Sequence, residues 1–236
     1  MLELIKTGVE KSPRLTFLYG AEGLGKSTFA SKMESPIFIQ TEDGLRDIDC
    51  SKFPLCKTLD DFNKQCRALF EEEHDFKTLV IDSADWLESL IQLAVTKEAG
   101  KESIEEIGYG KGYVMMSEKT VKILQGLARL RDAKGMNILI TSHAVAETYH
   151  NPEGEDYDRF APKLHKRTCP FYIEWADEVL FLTKKVFVKS EEGKAVGEGE
   201  RILKTCSSPT CRAKNRLGMP PEIPLNIEEY NKYILK

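Results

Sequence analysis

Short apolar runs along the chain have the length and composition of buried β-strands. They are RLTFLYG, PIFIQTE, KTLVIDS, MNILITSH and the apolar part of EWADEVLFL. The segments between them carry apolar residues at helical spacing, as in Leu59, Phe62, Cys66, Leu69 and Phe70. Strands that alternate with helices predict a parallel sheet with right-handed crossovers. The pattern therefore predicts a three-layer α/β domain with a mainly parallel central sheet.

Helices are predicted over 26–33 (KSTFASKM), from about Trp86 to Ala99, and from just after GYGKGY to Gly135. Gly100 and Gly135 directly follow the second and third of these, and glycine is common just past the end of a helix. The helices fall between the predicted strands, as the α/β pattern requires.

Two stretches do not follow this alternation. Residues 144–170 are polar and irregular, which predicts a long mobile loop. Residues 184–236 carry KVFVKS and RILKTC on either side of the glycine-rich EEGKAVGEGE, which predicts an antiparallel hairpin followed by a proline-punctuated tail. We expect a single domain over 1–236, with its ligand site beyond the carboxyl ends of the parallel strands.

The composition is that of an ordinary soluble domain, with 41% hydrophobic and 31% charged residues. The N-terminal MLELIKTGVEKSPR lacks the marks of a signal or transit peptide, and no apolar stretch is long enough to span a membrane, so we expect a cytoplasmic protein. The net charge of −4 means that any contact with a polyanion must come from local loops. The six cysteines form no paired C-x-x-C pattern, which predicts reduced, structural thiols.

The segment GAEGLGKST matches the P-loop pattern G-x-x-x-x-G-K-[ST] between a predicted strand and a predicted helix. Glycines in such a loop let backbone N–H groups point at phosphate oxygens, and the helix turns its positive N-terminus to the same charge. We expect Lys26 to reach the β- and γ-phosphates of ATP and the Ser27 hydroxyl to bind Mg²⁺. The predicted nucleotide-binding residues are Gly20, Ala21, Glu22, Gly23, Leu24, Gly25, Lys26, Ser27 and Thr28.

Asp82 ends the apolar run LVID and is predicted to be the acidic residue of the magnesium site. Ser83 and Ala84 follow it, so a carboxylate that activates water must lie elsewhere in the chain. Glu42 follows the second predicted strand, which we expect to lie next to the phosphate-binding strand, and its carboxylate could accept a proton from water. An acid in a solvated turn would have the same sequence pattern.

The segments IFIQTEDGL and LVIDSADWL together resemble RecA-like recombinases. In that family the catalytic glutamate follows the second strand and a serine follows the magnesium aspartate, so the resemblance implies that Glu42 is the catalytic base. This arrangement disfavours AAA+ and ABC ATPases, which usually carry the acid beside the aspartate. Over nearly its full length the chain is similar to compact phage-encoded RecA-like ATPases of the single-strand-annealing and AAA-family nucleotide-binding types.

Two later segments also resemble RecA-like proteins. NILITSH ends where that family carries a polar residue that senses the γ-phosphate, which is His143 in this chain. AKNRLGMP is similar to the basic pair on the late strands that reaches the ATP of a neighbouring subunit. The resemblance thus implies catalytic roles for His143, Lys214 and Arg216, and a homo-oligomer with shared ATP sites. A salt-bridged edge strand would explain Lys214 and Arg216 equally well.

The segments GYGKGY and RFAPKLHKR resemble the DNA-contacting loops of the same family. Aromatic rings can stack on bases while cations meet phosphates, which holds single-stranded DNA with little sequence preference. The alternatives are a helix-entry turn with its tyrosines packed inward and an active-site lid. The predicted DNA-binding residues are Tyr109, Lys111, Tyr113, Arg159, Phe160, Lys163, Lys166 and Arg167.

Together these features predict an ATP- and Mg²⁺-dependent ATPase of phage-type DNA recombination or single-strand annealing, acting in the cytoplasm of the host cell. The alternative is a nucleotide-gated binding module or mediator that binds ATP and a partner but hydrolyses little. A small-molecule kinase is a third possibility, for which the sequence offers no acceptor-site pattern.

Overall fold

The structure is a computed structural model that describes residues 2–5, 7–8, 12–188 and 195–234. The tip of the predicted C-terminal hairpin, at 189–194, lies outside these residues.

A twisted sheet forms the centre of the described domain. Its strands are β1 (Leu15–Gly20), β2 (Pro36–Gln40), β3 (Ser51–Lys52), β4 (Thr78–Asp82), β5 (Asn137–Tyr149), β6 (Tyr157–Pro162), β7 (Glu178–Val188), β8 (Ala195–Lys204) and β9 (Glu222–Pro224). The spatial order is β3-β2-β4-β5-β1-β7-β8-β9, with β6 paired to β5. Neighbouring strands are parallel from β3 through β2, β4, β5 and β1 to β7, whereas β6, β8 and β9 are antiparallel to the strands they pair with. The carboxyl ends of β1, β2, β4 and β5 therefore meet at one edge.

Helices cover both faces of the sheet. They are α1 (Lys26–Ala30), α2 (Leu59–Glu71), α3 (Ala84–Glu98), α4 (Lys111–Lys134), α5 (Cys169–Trp175) and α6 (Ile227–Ile234). One apolar core lies between the sheet and α2 to α5, and the other lies between the sheet and α1 and α6. None of these described helices is both long and apolar enough to cross a membrane. The predicted three-layer α/β fold with a mainly parallel sheet and an antiparallel C-terminal extension is confirmed.

The apolar runs are the central strands because burial on both faces requires continuous hydrophobic sequence. In β1, Phe17 and Tyr19 face one core while Leu18 faces the other. The start of α2 is also encoded locally, because the Thr58 hydroxyl accepts from the Asp61 N–H and the Asp61 carboxylate accepts from the Thr58 N–H. This reciprocal capping box satisfies two backbone donors that the helix leaves unpaired.

The prediction of an irregular loop over 144–170 is wrong. β5 continues beyond the main sheet to Tyr149, β6 returns antiparallel to it, and α5 begins at Cys169. Cross-strand polar pairs stabilise this hairpin, as in the 2.9 Å ion pair between Arg159 and Glu147. Because such pairs need no apolar run, the sequence of the hairpin has the composition of a loop.

The C-terminal part of the sheet also differs in detail from the prediction. β7 joins EWADEVLFL and KVFVKS into one strand, so the predicted boundary at 184 falls inside it. β7 is parallel to β1 and antiparallel to β8, which makes the C-terminal hairpin a direct continuation of the main sheet. As a result, β8 and β9 lie on the same sheet as the P-loop strand and can return side chains towards it.

Candidate functional site

The P-loop connects β1 to α1 at the edge where the parallel strands end. A Cβ atom at Gly20 would lie 2.5 Å from the carbonyl oxygen of Leu182, so only glycine fits there. Gly25 precedes α1 with a φ of 95°, a conformation that favours glycine. α1 ends at Ala30 rather than at the predicted residue 33, and its five residues give a smaller dipole than predicted. A phosphate here would depend mainly on the backbone N–H groups of the loop and on Lys26.

Lys26 is buried, with 7% of its surface exposed. Its ammonium group donates to the carbonyl oxygens of Gly20 and Ala21, both at 2.9 Å, which leaves one of its three donors for a phosphate oxygen. The pKa of Lys26 is lowered, because the effect of burial outweighs the raising effect of nearby negative charges. The carboxylates with this effect belong to Asp82, Asp85, Glu22 and Glu42. The electrostatic surroundings of Lys26 are therefore acidic.

Asp82 is the buried last residue of β4. Its Oδ1 accepts a hydrogen bond from the Thr141 hydroxyl, and its Oδ2 accepts none from the described residues. The Ser27 hydroxyl likewise has no hydrogen-bond partner within the described part of the chain. A free carboxylate oxygen and a free hydroxyl are ligands that Mg²⁺ or its bound water prefers, so the residues present fit this ion.

Glu42 reaches the site from β2, although β2 is not next to the P-loop strand. β4 and β5 lie between β2 and β1, so the predicted adjacency is wrong. The backbone N–H of Glu42 instead donates to the carbonyl oxygen of Asp82 at 3.2 Å, and its Oε2 accepts from the Ser83 hydroxyl at 3.4 Å. The peptide between Asp82 and Ser83 is cis. These contacts hold Glu42 beside the end of β4.

The pKa of Glu42 is raised, first because the side chain is partly buried. The charge of His143 lowers it, and the charges of Asp82 and Asp85 raise it further. The Oε2 of Glu42 lies 3.9 Å from the Nε2 of His143. A partly buried carboxylate with a raised pKa, held beside Asp82, has the chemistry that a general base requires.

His143 lies opposite Gly20 in the register of β5 and β1, so it faces the first residue of the P-loop. Asp85, in the first turn of α3, accepts from the His143 N–H at 3.1 Å and contacts its Nδ1 at 2.8 Å. The hydrogen bond to Asp85 raises the pKa of His143 by more than burial lowers it. Burial raises the pKa of Asp85, but its hydrogen bonds with His143 outweigh this and lower it. The pair orients the imidazole towards Glu42.

Asp85 was not among the predicted site residues. The available signal is that it lies three residues after Asp82, in the first turn of the helix that follows β4. A side chain at that position stays near the carboxyl edge of the sheet. Its partner His143 is 58 positions away in the sequence, and only the fold brings the two together.

Lys214 and Arg216 are not brought to the P-loop of their own chain. They lie between β8 and β9, outside the named strands, next to the amino end of β7 and thus at the opposite edge of the sheet. The expectation that they lie on late strands is wrong. Arg216 is exposed and pairs with Asp177 at 3.1 Å. The Lys214 ammonium donates to the carbonyl oxygens at the end of α5, those of Ile173, Glu174 and Ala176.

The two segments predicted to contact DNA meet at one surface. The Tyr113 ring stacks on His165, with 4.4 Å between the ring centres, and its hydroxyl donates to Glu105 at 2.6 Å. Tyr113 is therefore packed inward, on α4 rather than in a loop, and is not free to stack on a base. Around this stacked pair lie exposed side chains that we call the exposed basic cluster: Tyr109, Lys111, Lys166 and Arg167.

The remaining predicted DNA-binding residues belong to the hairpin and its exit. Arg159 pairs with Glu147 and lies 4.3 Å above the Tyr149 ring. Phe160 is 45% exposed and stacks on Phe181 at 5.2 Å. Both side chains thus already have contacts within the fold. Lys163 is exposed directly after β6, where its backbone N–H donates to the carbonyl oxygen of His143.

Glu88 on α3 connects the nucleotide side of the molecule to this surface. Its carboxylate accepts from the His165 N–H at 2.8 Å and from the Thr168 hydroxyl. Burial raises the pKa of Glu88. Asp85 and Glu88 are three residues apart and share one face of the helix. One helix therefore holds His143 through one acid and the segment after β6 through the other.

We predict that Lys214→Met lowers the free energy of unfolding by about 1–3 kcal/mol, because the last carbonyls of α5 lose a charged donor. Arg216→Met is the matched control, and its exposed ion pair should cost at most about 1 kcal/mol. Urea unfolding followed by circular dichroism would measure both. Equal stability of Lys214→Met and the wild type would show that Lys214 is not structural.

Comparison with known proteins agrees with this geometry. A family model described as "AAA domain" matches residues 12–217. The SPbeta prophage-derived uncharacterized protein YorG of Bacillus subtilis (strain 168) is 25% identical over 192 residues, or 80% of this chain and 53% of that protein, so the chain spans about half the length of this curated relative. The lack of an acid directly after Asp82 was expected to disfavour AAA+ ATPases. The match to an AAA domain corrects that expectation. The match covers most of the chain, and the chain belongs to the AAA domain family of P-loop ATPases.

Proposed function

We propose that this protein hydrolyses ATP in a Mg²⁺-dependent reaction that single-stranded DNA stimulates, in phage-type DNA recombination or single-strand annealing. The observation that carries the proposal is the position of Glu42, a partly buried carboxylate held beside Asp82 and facing His143. A site that only bound phosphates would not need a second carboxylate with a raised pKa next to Asp82, the proposed Mg²⁺ ligand.

Each residue has a distinct task in the proposed reaction. Lys26 places its charge against the β- and γ-phosphates, and the Ser27 hydroxyl and Asp82 would hold Mg²⁺, which when bound neutralises charge on the phosphate oxygens. Glu42 accepts a proton from the water that attacks the γ-phosphorus. The raised pKa of Glu42 makes it a stronger base than an exposed glutamate.

His143 acts on Glu42 and on the phosphate side of the site. Asp85 holds the imidazole, stabilises its positive charge, and leaves Nε2 directed towards Glu42. This charge favours the ionised form of Glu42, as a base requires before it accepts a proton. Because His143 lies opposite Gly20, its charge also lies near a γ-phosphate bound in the P-loop.

Side-chain contacts of α3 connect the proposed nucleotide site to the proposed DNA-binding surface. Asp85 holds His143 at the nucleotide side, and Glu88 holds the segment that contains His165. His165 in turn stacks on Tyr113, and the exposed basic cluster surrounds this pair. A shift of His143 towards a γ-phosphate would therefore be transmitted to the cluster through one helix and a short chain of contacts, which supports coupling between DNA binding and hydrolysis.

The prophage origin of the relative YorG supports a phage setting and action in the host cytoplasm. For a homo-oligomer with shared ATP sites, Arg216 is the better candidate of the basic pair. It is exposed, whereas Lys214 is held by α5. In such an assembly the edge of the sheet that carries Arg216 would face the P-loop of a neighbour.

Glu42→Gln should leave ATP binding unchanged and lower turnover by roughly 100-fold or more, because the amide cannot accept the proton from water. Phosphate release and ATP affinity would be measured on the same preparation. Asp43→Asn, one residue further along the exposed turn, is the matched control and should retain turnover. Wild-type turnover in Glu42→Gln would reject Glu42 as the base.

The pH dependence of turnover should reveal the charge of His143. Activity falls at low pH as Glu42 becomes protonated, and since its pKa is raised, this fall occurs at higher pH than for an exposed glutamate. In His143→Gln the lowering effect of the imidazolium is lost, so the pKa of Glu42 and the acid limb of the kcat/KM profile should both move to higher pH. An acid limb that stays in place, or moves lower, would contradict this role.

The DNA part of the proposal is tested by measuring turnover with and without single-stranded DNA over a range of protein concentrations. We expect stimulation by DNA, and turnover per subunit that rises with concentration if sites are shared. Lys166→Ala combined with Arg167→Ala should reduce stimulation and leave basal turnover unchanged. Lys122→Ala combined with Arg129→Ala, on exposed positions of α4, is the charge-matched control.

The other candidate functions give different results in the same assay. A nucleotide-gated mediator binds ATP but releases phosphate slowly whether or not DNA is present. A small-molecule kinase ignores DNA and yields a phosphorylated product. Either result would overturn the proposed DNA-stimulated ATPase.

A further inference from the structure

We propose that the groove between α2 and α4 is a docking site for an acidic, amphipathic helix of a partner protein. The groove measures about 660 Å³ and is lined by side chains of these two helices. Its described lining includes no residue of the candidate ATP site and none of the exposed basic cluster. The inference therefore stands apart from the proposed function.

The dimensions of the groove suit a short helix. One wall runs from Leu59 to Glu71 on α2, and the other runs from Lys119 to Leu130 on α4. With a rise of about 1.5 Å per residue, each wall is roughly 17 Å long, or three helical turns. A helix that lies in such a groove makes contact through side chains at positions i, i+3 or i+4, and i+7.

Apolar side chains form the floor of the groove. Phe62 and Leu127 are buried in the core, and Cys66 and Ile123 are partly buried against it. Phe70, one turn after Cys66, also lines the groove and is 47% exposed. Half-exposed aromatic side chains in a concave surface are typical anchors of protein interfaces. The floor therefore offers apolar surface that its own chain covers only in part.

The rim of the groove carries uncompensated positive charge. Arg67, Lys122 and Arg129 line the groove and are exposed. None of the three forms an ion pair with a carboxylate of the described residues. Glu71 is the one lining acid that likewise has no cation partner among them. Three cations against one acid favour an anionic occupant, although the chain as a whole has a net charge of −4.

The other charged residues of the lining are already paired. Lys119 contacts Glu98 of α3 at 2.7 Å, and Asp60 contacts Lys64 within α2 at 2.7 Å. These pairs largely cancel their own charges. The excess on the rim is therefore set by the three unpaired cations and not by Lys119 or Asp60.

Gly126 is a second, independent sign of an occupant. It lies inside α4, lines the groove, and is exposed, although glycine destabilises the interior of a helix relative to alanine. A Cβ atom at Gly126 would meet nothing within 4 Å, whereas one at Gly112 of the same helix would lie 2.6 Å from Ile104. The fold thus requires glycine at 112 but not at 126. A glycine at 126 lets the backbone of a docked chain approach α4 closely.

The combination of floor and rim favours a protein helix over nucleic acid. A phosphate backbone could pair with the cations of the rim but would leave the apolar floor exposed to water. An amphipathic helix with acidic side chains can cover the floor with its apolar face and place carboxylates against the rim.

Fluorescence anisotropy with a labelled synthetic peptide tests this site. The probe is a capped peptide of about four helical turns, with leucine along one face and glutamate on the other. One control peptide has the same composition in an order that distributes leucine around the helix, and the other has lysine in place of glutamate. We expect the acidic amphipathic peptide to bind about tenfold or more tighter than either control.

Substitutions in the groove should weaken the binding of this peptide. Gly126→Phe fills the groove, and Lys122→Ala combined with Arg129→Ala removes two cations of the rim. Each should lower the affinity by about tenfold or more. Lys166→Ala combined with Arg167→Ala, in the exposed basic cluster, is the charge-matched control and should leave the affinity unchanged. The urea midpoint of Gly126→Phe should equal or exceed that of the wild type, because phenylalanine is a better helix former than glycine.

Three results would overturn the docking site. The first is an acidic peptide that binds no better than its controls, or that binds both groove variants with wild-type affinity. The second is loss of DNA stimulation in the Lys122→Ala and Arg129→Ala variant, since the rim would then belong to a DNA-binding surface. The third is self-association of the protein that Gly126→Phe abolishes, because a second copy of the chain would then cover the groove. The proposed ATPase is tested separately by Glu42→Gln.

Discussion

The arrangement of this site depends on how the buried positive charge of Lys26 is stabilised by its surroundings. An ammonium group removed from water is costly unless it is hydrogen-bonded and surrounded by opposite charge. Two P-loop carbonyl oxygens and the negative field of nearby carboxylates meet that requirement. Those carboxylates would in turn repel one another without a cation among them. The P-loop, β2, β4 and the start of α3 are thus held together by one set of mutually dependent charges.

α3 connects this set of charges to a more distant part of the protein. Its two acids, Asp85 and Glu88, are both substantially buried, and each accepts at least two hydrogen bonds from another part of the chain. Removal of either partner would leave a charged group inside the protein without compensation, which is far more costly than loss of a surface pair. The helix therefore constrains the end of β5 and the segment after β6 relative to each other.

The sequence predicted the parts of the fold in which local pattern and burial agree. Strands such as β1 and β4 are apolar on both faces, and the Thr58–Asp61 box marks the start of α2 by itself. The hairpin of β5 and β6 was not predicted because cross-strand polar pairs, rather than an apolar run, stabilise it. The contacts of Asp85 and Arg201 were not predicted because their partners, His143 and Leu24, lie 58 and 177 positions away in the sequence. Lys214 was predicted from family likeness, which does not reveal that its own α5 needs the charge.

The two ends of the main sheet have a consequence for assembly. At one end is β3, with two residues, and at the other is β9, with three. Such short borders offer few unpaired backbone groups to an incoming strand, a common protection against uncontrolled edge-to-edge association. An assembly of subunits through these two ends would therefore rest on the shape and charge of side-chain surfaces rather than on shared β-structure.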